Sequence, residues 1–221
     1  MFWFYYKYMF NLLSEMPLVT IIRVAAVLLA ITIHEYCHGL AADKLGDPTP
    51  RINDRLSLNP IKHLDPLGTL ALFFLGIGWA KPVPIDPFNF QNKKRDMALV
   101  SLAGPLSNFI SALIIAFLLK FFLPILGISA GINLLIRTLS YPFIAISIGL
   151  AVFNLIPIPP LDGAKILFAI LPKQLAYEWE ETIGRYGLLI LMFLLFPLFG
   201  RQAIIMNFIS PIISTILNLL L

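Results

Sequence analysis

The sequence predicts an all-α polytopic membrane protein, a bundle of about five to six transmembrane helices with a membrane-embedded hairpin. Three observations carry that expectation. Of 221 residues, 59% are hydrophobic and only 13% charged, roughly half the charged share of a soluble domain. Several uncharged runs reach the roughly 20 residues that a spanning helix needs. The cations are clustered as well: eight of the sixteen Lys and Arg residues fall between Lys44 and Arg95, which assigns that stretch to the cytoplasmic side. Topology thus accounts for the net charge of +4, and no nucleic-acid partner is expected. The single cysteine, Cys37, excludes an internal disulfide.

The elements follow in order as one domain over residues 1–221. Residues 1–16 are rich in aromatics and lack the features of a cleaved signal peptide, so they read as a retained interfacial segment. Residues 17–45 form the first helix, apolar through Ile33 and continuing through a polar turn until Gly46 and Pro48 end it. A cation-bearing loop runs from Asp47 to Asp65. Pro66–Ala80 is uncharged but only 15 residues long, and it holds Gly68, Gly76 and Gly78. A re-entrant hairpin or strand pair over 66–87 fits it better than a full span. Residues 97–120 form a spanning helix in which Ala103, Gly104 and Pro105 let a neighbour approach closely. Residues 138–171 form a helix broken at Pro157, Pro159 and Pro160, and the freed backbone places that break inside the protein. Two C-terminal helices over 186–221 complete the bundle. No internal repeat is present.

The chemistry concentrates at His34-Glu35-Tyr36-Cys37-His38. On a helix, positions i and i+4 share a face, so both imidazoles can reach one ion. Glu35, beside the first ligand, can take a proton from the attacking water. Two helix-end histidines facing water or headgroups are the bland alternative, but ionisable groups ending an apolar helix point to function. A catalytic zinc takes three protein ligands and an open position. His63 and the acidic residues are the contenders for the third. Most acidic residues lie in hydrophilic stretches, whereas Asp162 follows 24 uncharged residues and the proline-broken segment. It either pairs with a cation such as Lys165 or binds the metal. Cys37 turns off the ligand face and reads as a packed thiol.

HEYCH followed much later by NLIPIPPLDG resembles the site-2 protease family of intramembrane metalloproteases. NPIKHLDPLGTL, GWAKPVP and SLAGPLSN look like its compact prokaryotic branch, without the PDZ or CBS domains many relatives carry. The resemblance implies one zinc ion per chain held by His34, His38 and Asp162, with Glu35 as general base and later proton donor to the leaving amine. It implies that Asn154 binds the substrate backbone or steadies the oxyanion, although a polar residue there can also satisfy freed backbone at a helix break. His63 is expected to bond the hairpin backbone or to shuttle protons. The implied partners are transmembrane protein substrates and the lipid bilayer. The implied location is a multi-pass position in a prokaryotic cell (inner) membrane, with the active site towards the cytoplasm. A membrane transporter or channel that binds metal through the same His pair is the alternative, as is a non-catalytic relative. Against transport stand the absence of repeated halves and the Glu beside His34.

Overall fold

The computed structural model describes residues 17–75, 78–196 and 203–221. The expected interfacial segment 1–16 lies outside them. Among the described residues there are eight α-helices and no strand: α1 (Pro17–Lys44), α2 (Thr49–Ile52), α3 (Pro66–Leu75), α4 (Lys93–Phe117), α5 (Ala130–Asn154), α6 (Asp162–Ile170), α7 (Lys173–Leu195) and α8 (Ile204–Leu220).

The burial pattern is that of a membrane protein. The fully enclosed side chains include Asn108, Ser101, Ser147 and Asp96, while Leu99, Leu106, Ile110, Leu113 and Phe117 of α4 are exposed. In water such an apolar outer face would drive association; against lipid it costs nothing, because acyl chains are as apolar as leucine. Leu18–Lys44, Lys93–Leu126 and Ala130–Asn154 are long and apolar enough to cross a bilayer, and α8 is a shorter apolar helix.

α1 stops where the sequence predicts. Gly46 adopts φ +107°, a conformation costly to any residue with a Cβ, and Asp47 N–H donates back to Ala42 O. α4 starts on a reciprocal cap: Asn92 accepts from Arg95 N–H, and Asp96 accepts from Asn92 N–H. Its inner face carries Val100, Ser101, Gly104, Asn108, Ala112 and Ala116, small side chains at spacings of three and four that let α1, α5 and α6 pack closely against it. Ala112, Ala116, Leu119 and Leu123 meet Ile144 and Ile148 of α5 in the largest apolar cluster. α8 joins through Ile205 and Ile209, which pack with Leu161 and Leu191.

Three boundaries differ from the sequence reading. Pro66–Leu75 is helical rather than one arm of a strand pair, and the chain then returns to form a single antiparallel bridge between Leu64 and Ala80. α5 begins at Ala130, not 138, because Arg137 is absorbed within the helix. Its guanidinium donates to Asn133 Oδ1 and to Leu119 O, where α4 loosens into a π turn. α7 begins at Lys173, well before 186, with Glu178, Glu180 and Glu181 on its first half and Arg185 just past its midpoint.

The loop after α1 is tied down by Asp47, which is fully buried. Its carboxylate accepts from Thr49 N–H and Oγ1–H, from Asn89 Nδ2–H and from Asp86 N–H. Burial alone would raise this carboxyl's pKa, but those donors hold it below the ordinary carboxylate value. The group is therefore ionised in the fold at pH values where an unfolded Asp is protonated. Its stabilising effect is complete above about pH 4 and is lost as pH falls further through the depressed value. Asp47→Ala is expected to cost about 3 kcal/mol, since it leaves charge-directed donors unmatched. Asp47→Asn should in addition flatten the acid side of a melting-temperature profile recorded in detergent between pH 3 and 7.

Candidate metal centre

The polar turn predicted within 17–45 is continuous helix, so His34 and His38 stack one turn apart on the inner face of α1, and both are buried. Asp162 reaches them from 124 residues beyond His38 in the chain. It occupies the first turn of α6, where the helix's positive end favours a carboxylate. The break before it is stabilised locally: Ile158 N–H donates to Ile156 O, and Leu161 N–H to Ile158 O. Gly163 lets this segment fold back, since a Cβ there would lie 2.2 Å from Leu155 O.

The three side chains converge. His34 Nε2 lies 3.0 Å from His38 Nε2, and Asp162 Oδ2 is 3.2 Å from the first and 3.1 Å from the second. Tetrahedral zinc with bonds of about 2.0–2.1 Å keeps its ligand atoms roughly 3.3 Å apart, so the triangle already has the right size. The donor chemistry agrees. His38 Nδ1 lies 2.7 Å from Val100 O; a carbonyl only accepts, so Nδ1 carries the hydrogen and a neutral His38 turns a bare Nε2 inward. Lone pairs and a carboxylate that face one another at about 3 Å need a proton or a metal cation among them, and the three donors together form a ligand set suited to zinc. Among the described residues, this is the one His/Cys/Asp/Glu group arranged to hold a metal.

Both roles weighed for Asp162 are visible. Oδ2 faces the imidazoles, while Oδ1 lies 3.8 Å from Lys165 Nζ. His63 is not part of the cluster. It is fully buried in the loop, its Nε2–H donates to Ser57 O, and its carbonyl accepts from Lys81 N–H. Asn154 reaches a cavity of about 150 Å³ shared with His34, Glu35, His38, Asp162 and Lys165, while its amide donates back to Leu150 O at the end of α5.

Glu35 points to the other side of that cavity, and its Oε2 accepts from Val83 N–H at 3.0 Å. Arg55 fastens the same extended segment by donating to Lys81 O and Pro82 O. Burial lowers the Arg55 pKa from its ordinary value, and the negative charge of Glu35 opposes that shift. The returning segment of the expected hairpin is thus tied to the protein at Lys81, Pro82 and Val83.

Sequence reasoning missed the contribution of α4. Val100 O, Ser101, Gly104 and Asn108 face the ligands from one side, and the Ser101 hydroxyl is buried without a partner beside the cavity. The signal was the small-residue run at Gly104: the neighbour it admits is the imidazole pair itself. A Cβ at Gly104 would lie 2.3 Å from His38 Nε2 and 2.8 Å from His34 Cε1.

A sequence model of peptidase family M50 matches residues 125–195, the part containing Asn154 and Asp162. YwhC of Bacillus subtilis, provisionally named a zinc metalloprotease, is 35% identical over 194 residues, which cover 85% of this chain and 84% of YwhC. The chain belongs to peptidase family M50. This is the site-2 protease family that its two motifs resemble, and the chain is a metalloprotease. Other M50 relatives include Rip2 of Mycolicibacterium smegmatis, also provisionally named a zinc metalloprotease, at 29% identity over 80% of this chain and 67% of its own length. The zinc metalloprotease of Methanocaldococcus jannaschii is 28% identical over 80% of this chain, which spans 42% of that protein. No solved structure matches.

Gly104→Ala is expected to abolish metal binding by this M50 protease while leaving α4 helical, because the added methyl occupies the space on which the ligands converge. Metal analysis of the purified variant should fall from one equivalent per chain to background. A variant that retains a full equivalent contradicts the three-residue centre.

Proposed function

We infer that this metalloprotease is an intramembrane zinc enzyme that hydrolyses peptide bonds in or near the transmembrane segments of other membrane proteins. The observation that carries this reading is the position of the ligands. Two of them sit within an apolar helix long enough to span a bilayer, and the third, itself buried, follows the proline-broken end of a second such helix. A zinc ion held by His34, His38 and Asp162 would supply Lewis acidity towards the attacking water and the scissile carbonyl.

The chain's own residues do the rest. Glu35 shares the cavity with the ligands, and the Val83 N–H bond fixes one carboxylate oxygen and leaves the other to take the water's proton. The same carboxylate returns that proton to the leaving amine. Asn154 and Lys165 give the cavity polar walls against a substrate carbonyl. The pocket's small size suits an unwound peptide rather than an intact helix, whose carbonyls are already hydrogen-bonded. The cation-bearing loop around Asp47–Asp65, with Lys93, Lys94 and Arg95 at the start of α4, supports a cytoplasmic opening in a prokaryotic cell membrane.

Glu35→Gln separates hydrolysis from metal transport. Using full-length chain and single-span membrane proteins in liposomes, the variant is expected to keep one zinc per chain and to cleave roughly 10²–10⁴-fold more slowly. Cleavage by Glu35→Gln at the wild-type rate would remove the catalytic assignment, and zinc flux abolished by Asp162→Ala without any proteolysis in wild type would favour a transporter.

A further inference from the structure

Asn108 lies at the centre of α4, fully enclosed, seven residues after Ser101 and four after Gly104. An amide in that position is costly in a membrane interior unless it answers a specific partner. Its partner is His34: one amide end, Nδ2, lies 3.3 Å from His34 Nδ1, and the other, Oδ1, is buried with no partner. This contact falls on the ring nitrogen that faces away from Asp162 and His38. It is the counterpart of the contact between Val100 O and His38 Nδ1.

The two contacts differ in what they permit. A backbone carbonyl only accepts, so His38 is held with its hydrogen on Nδ1. An amide can accept or donate, depending on which end it turns to the ring. With Nδ2 towards His34, Nδ1 is an acceptor and the ring hydrogen sits on Nε2, where it donates to Asp162 Oδ2 at 3.2 Å. In that state Nε2 has no lone pair for a metal. A half-turn of the amide presents Oδ1 instead, accepts the hydrogen on Nδ1 and leaves Nε2 bare. The amide makes one hydrogen bond to the ring in either orientation, so the same residue serves a ligand that donates to Asp162 and a ligand that binds a cation.

We propose that Asn108 is a positioning residue for the metal centre, whose amide oxygen selects the metal-binding tautomer of His34. The proposal rests on the zinc reading given above. A positioning partner of this kind contributes about 10–100-fold to metal affinity. An acceptor-only side chain of the same shape should preserve the effect, and an apolar one should abolish it.

The test measures zinc affinity of the detergent-solubilised full chain, by competition with a chromophoric chelator at one fixed pH. Asn108→Leu is expected to bind zinc 10–100-fold more weakly than wild type, while its zinc-free melting temperature stays close to that of zinc-free wild type. Asn108→Asp is expected to bind as tightly as wild type or more tightly. Asn108→Leu within twofold of wild type overturns the proposal. Should the leucine variant fail to fold, Asn108→Asp decides: binding weakened tenfold or more overturns it, and retained binding supports it. His34→Ala is the control for the underlying reading. If it binds zinc like wild type, the centre itself is misplaced. If it loses zinc while Asn108→Leu does not, only the role of Asn108 falls.

Discussion

Two imidazole nitrogens and a carboxylate oxygen meet within 3.2 Å of one another at a buried site, and most of the surrounding architecture follows from that constraint. Unpaired acceptors cost most where the dielectric is low, so each ring needs a partner on its far nitrogen and a proton or a cation on its near side. The far side is supplied by α4, through a backbone carbonyl for His38 and an amide for His34. The near side requires space, which a glycine provides. A single helix face therefore does three jobs: it packs α1, it orients both rings, and it leaves room among them.

The membrane as solvent explains why this polar centre is inside and the bulky apolar residues are outside. With lipid around it, a helix bundle gains little from burying leucine and much from burying amides, hydroxyls and carboxylates against one another. The same logic applies only in part to the interruption before Asp162. Short local turns answer part of its backbone, while Leu155, Pro157 and Pro160 stay exposed, so the break is only partly covered rather than enclosed as the sequence predicts. The helix start that follows it is what gives the carboxylate a favourable end-of-helix field.

Much of this was legible in the sequence because membrane signals are coarse. Uncharged length, clustered cations and a Gly-Asp-Pro stop mark α1 and α4 to within a few residues, and an i, i+4 His pair is itself a statement about a shared helix face. Asp162 stood out because 24 uncharged residues precede it in the chain. At α5 the reading slipped because a charge had been taken as a boundary although neutral acceptors satisfy it within the fold. Arg137 lies inside α5 because Leu119 O and Asn133 receive its guanidinium. Asn108 and Ser101 were invisible for a different reason. An amide or hydroxyl within an apolar helix carries no local pattern, and only the packing of α1 on α4 shows which of them face the ligands.

The ligands come from helices separated by more than a hundred residues, and α4 packs against both. This makes α4 a template rather than a bystander: α1 docks on its Val100–Asn108 face, and α6 docks on it independently, so the triangle forms as a consequence of two helix contacts rather than a direct search of His for Asp. A cation bound there would then couple to helix docking, since it would join α1 to α6 across a surface both already share. The placement of Glu35 completes the logic. It lies on α1 one residue from His34 yet is turned to the extended segment that Arg55 and His63 hold in place, so the proposed acid–base group is oriented by the loop while the proposed ligands are oriented by the helix. Separating the two supports lets the proton carrier be adjusted without disturbing the geometry of the centre.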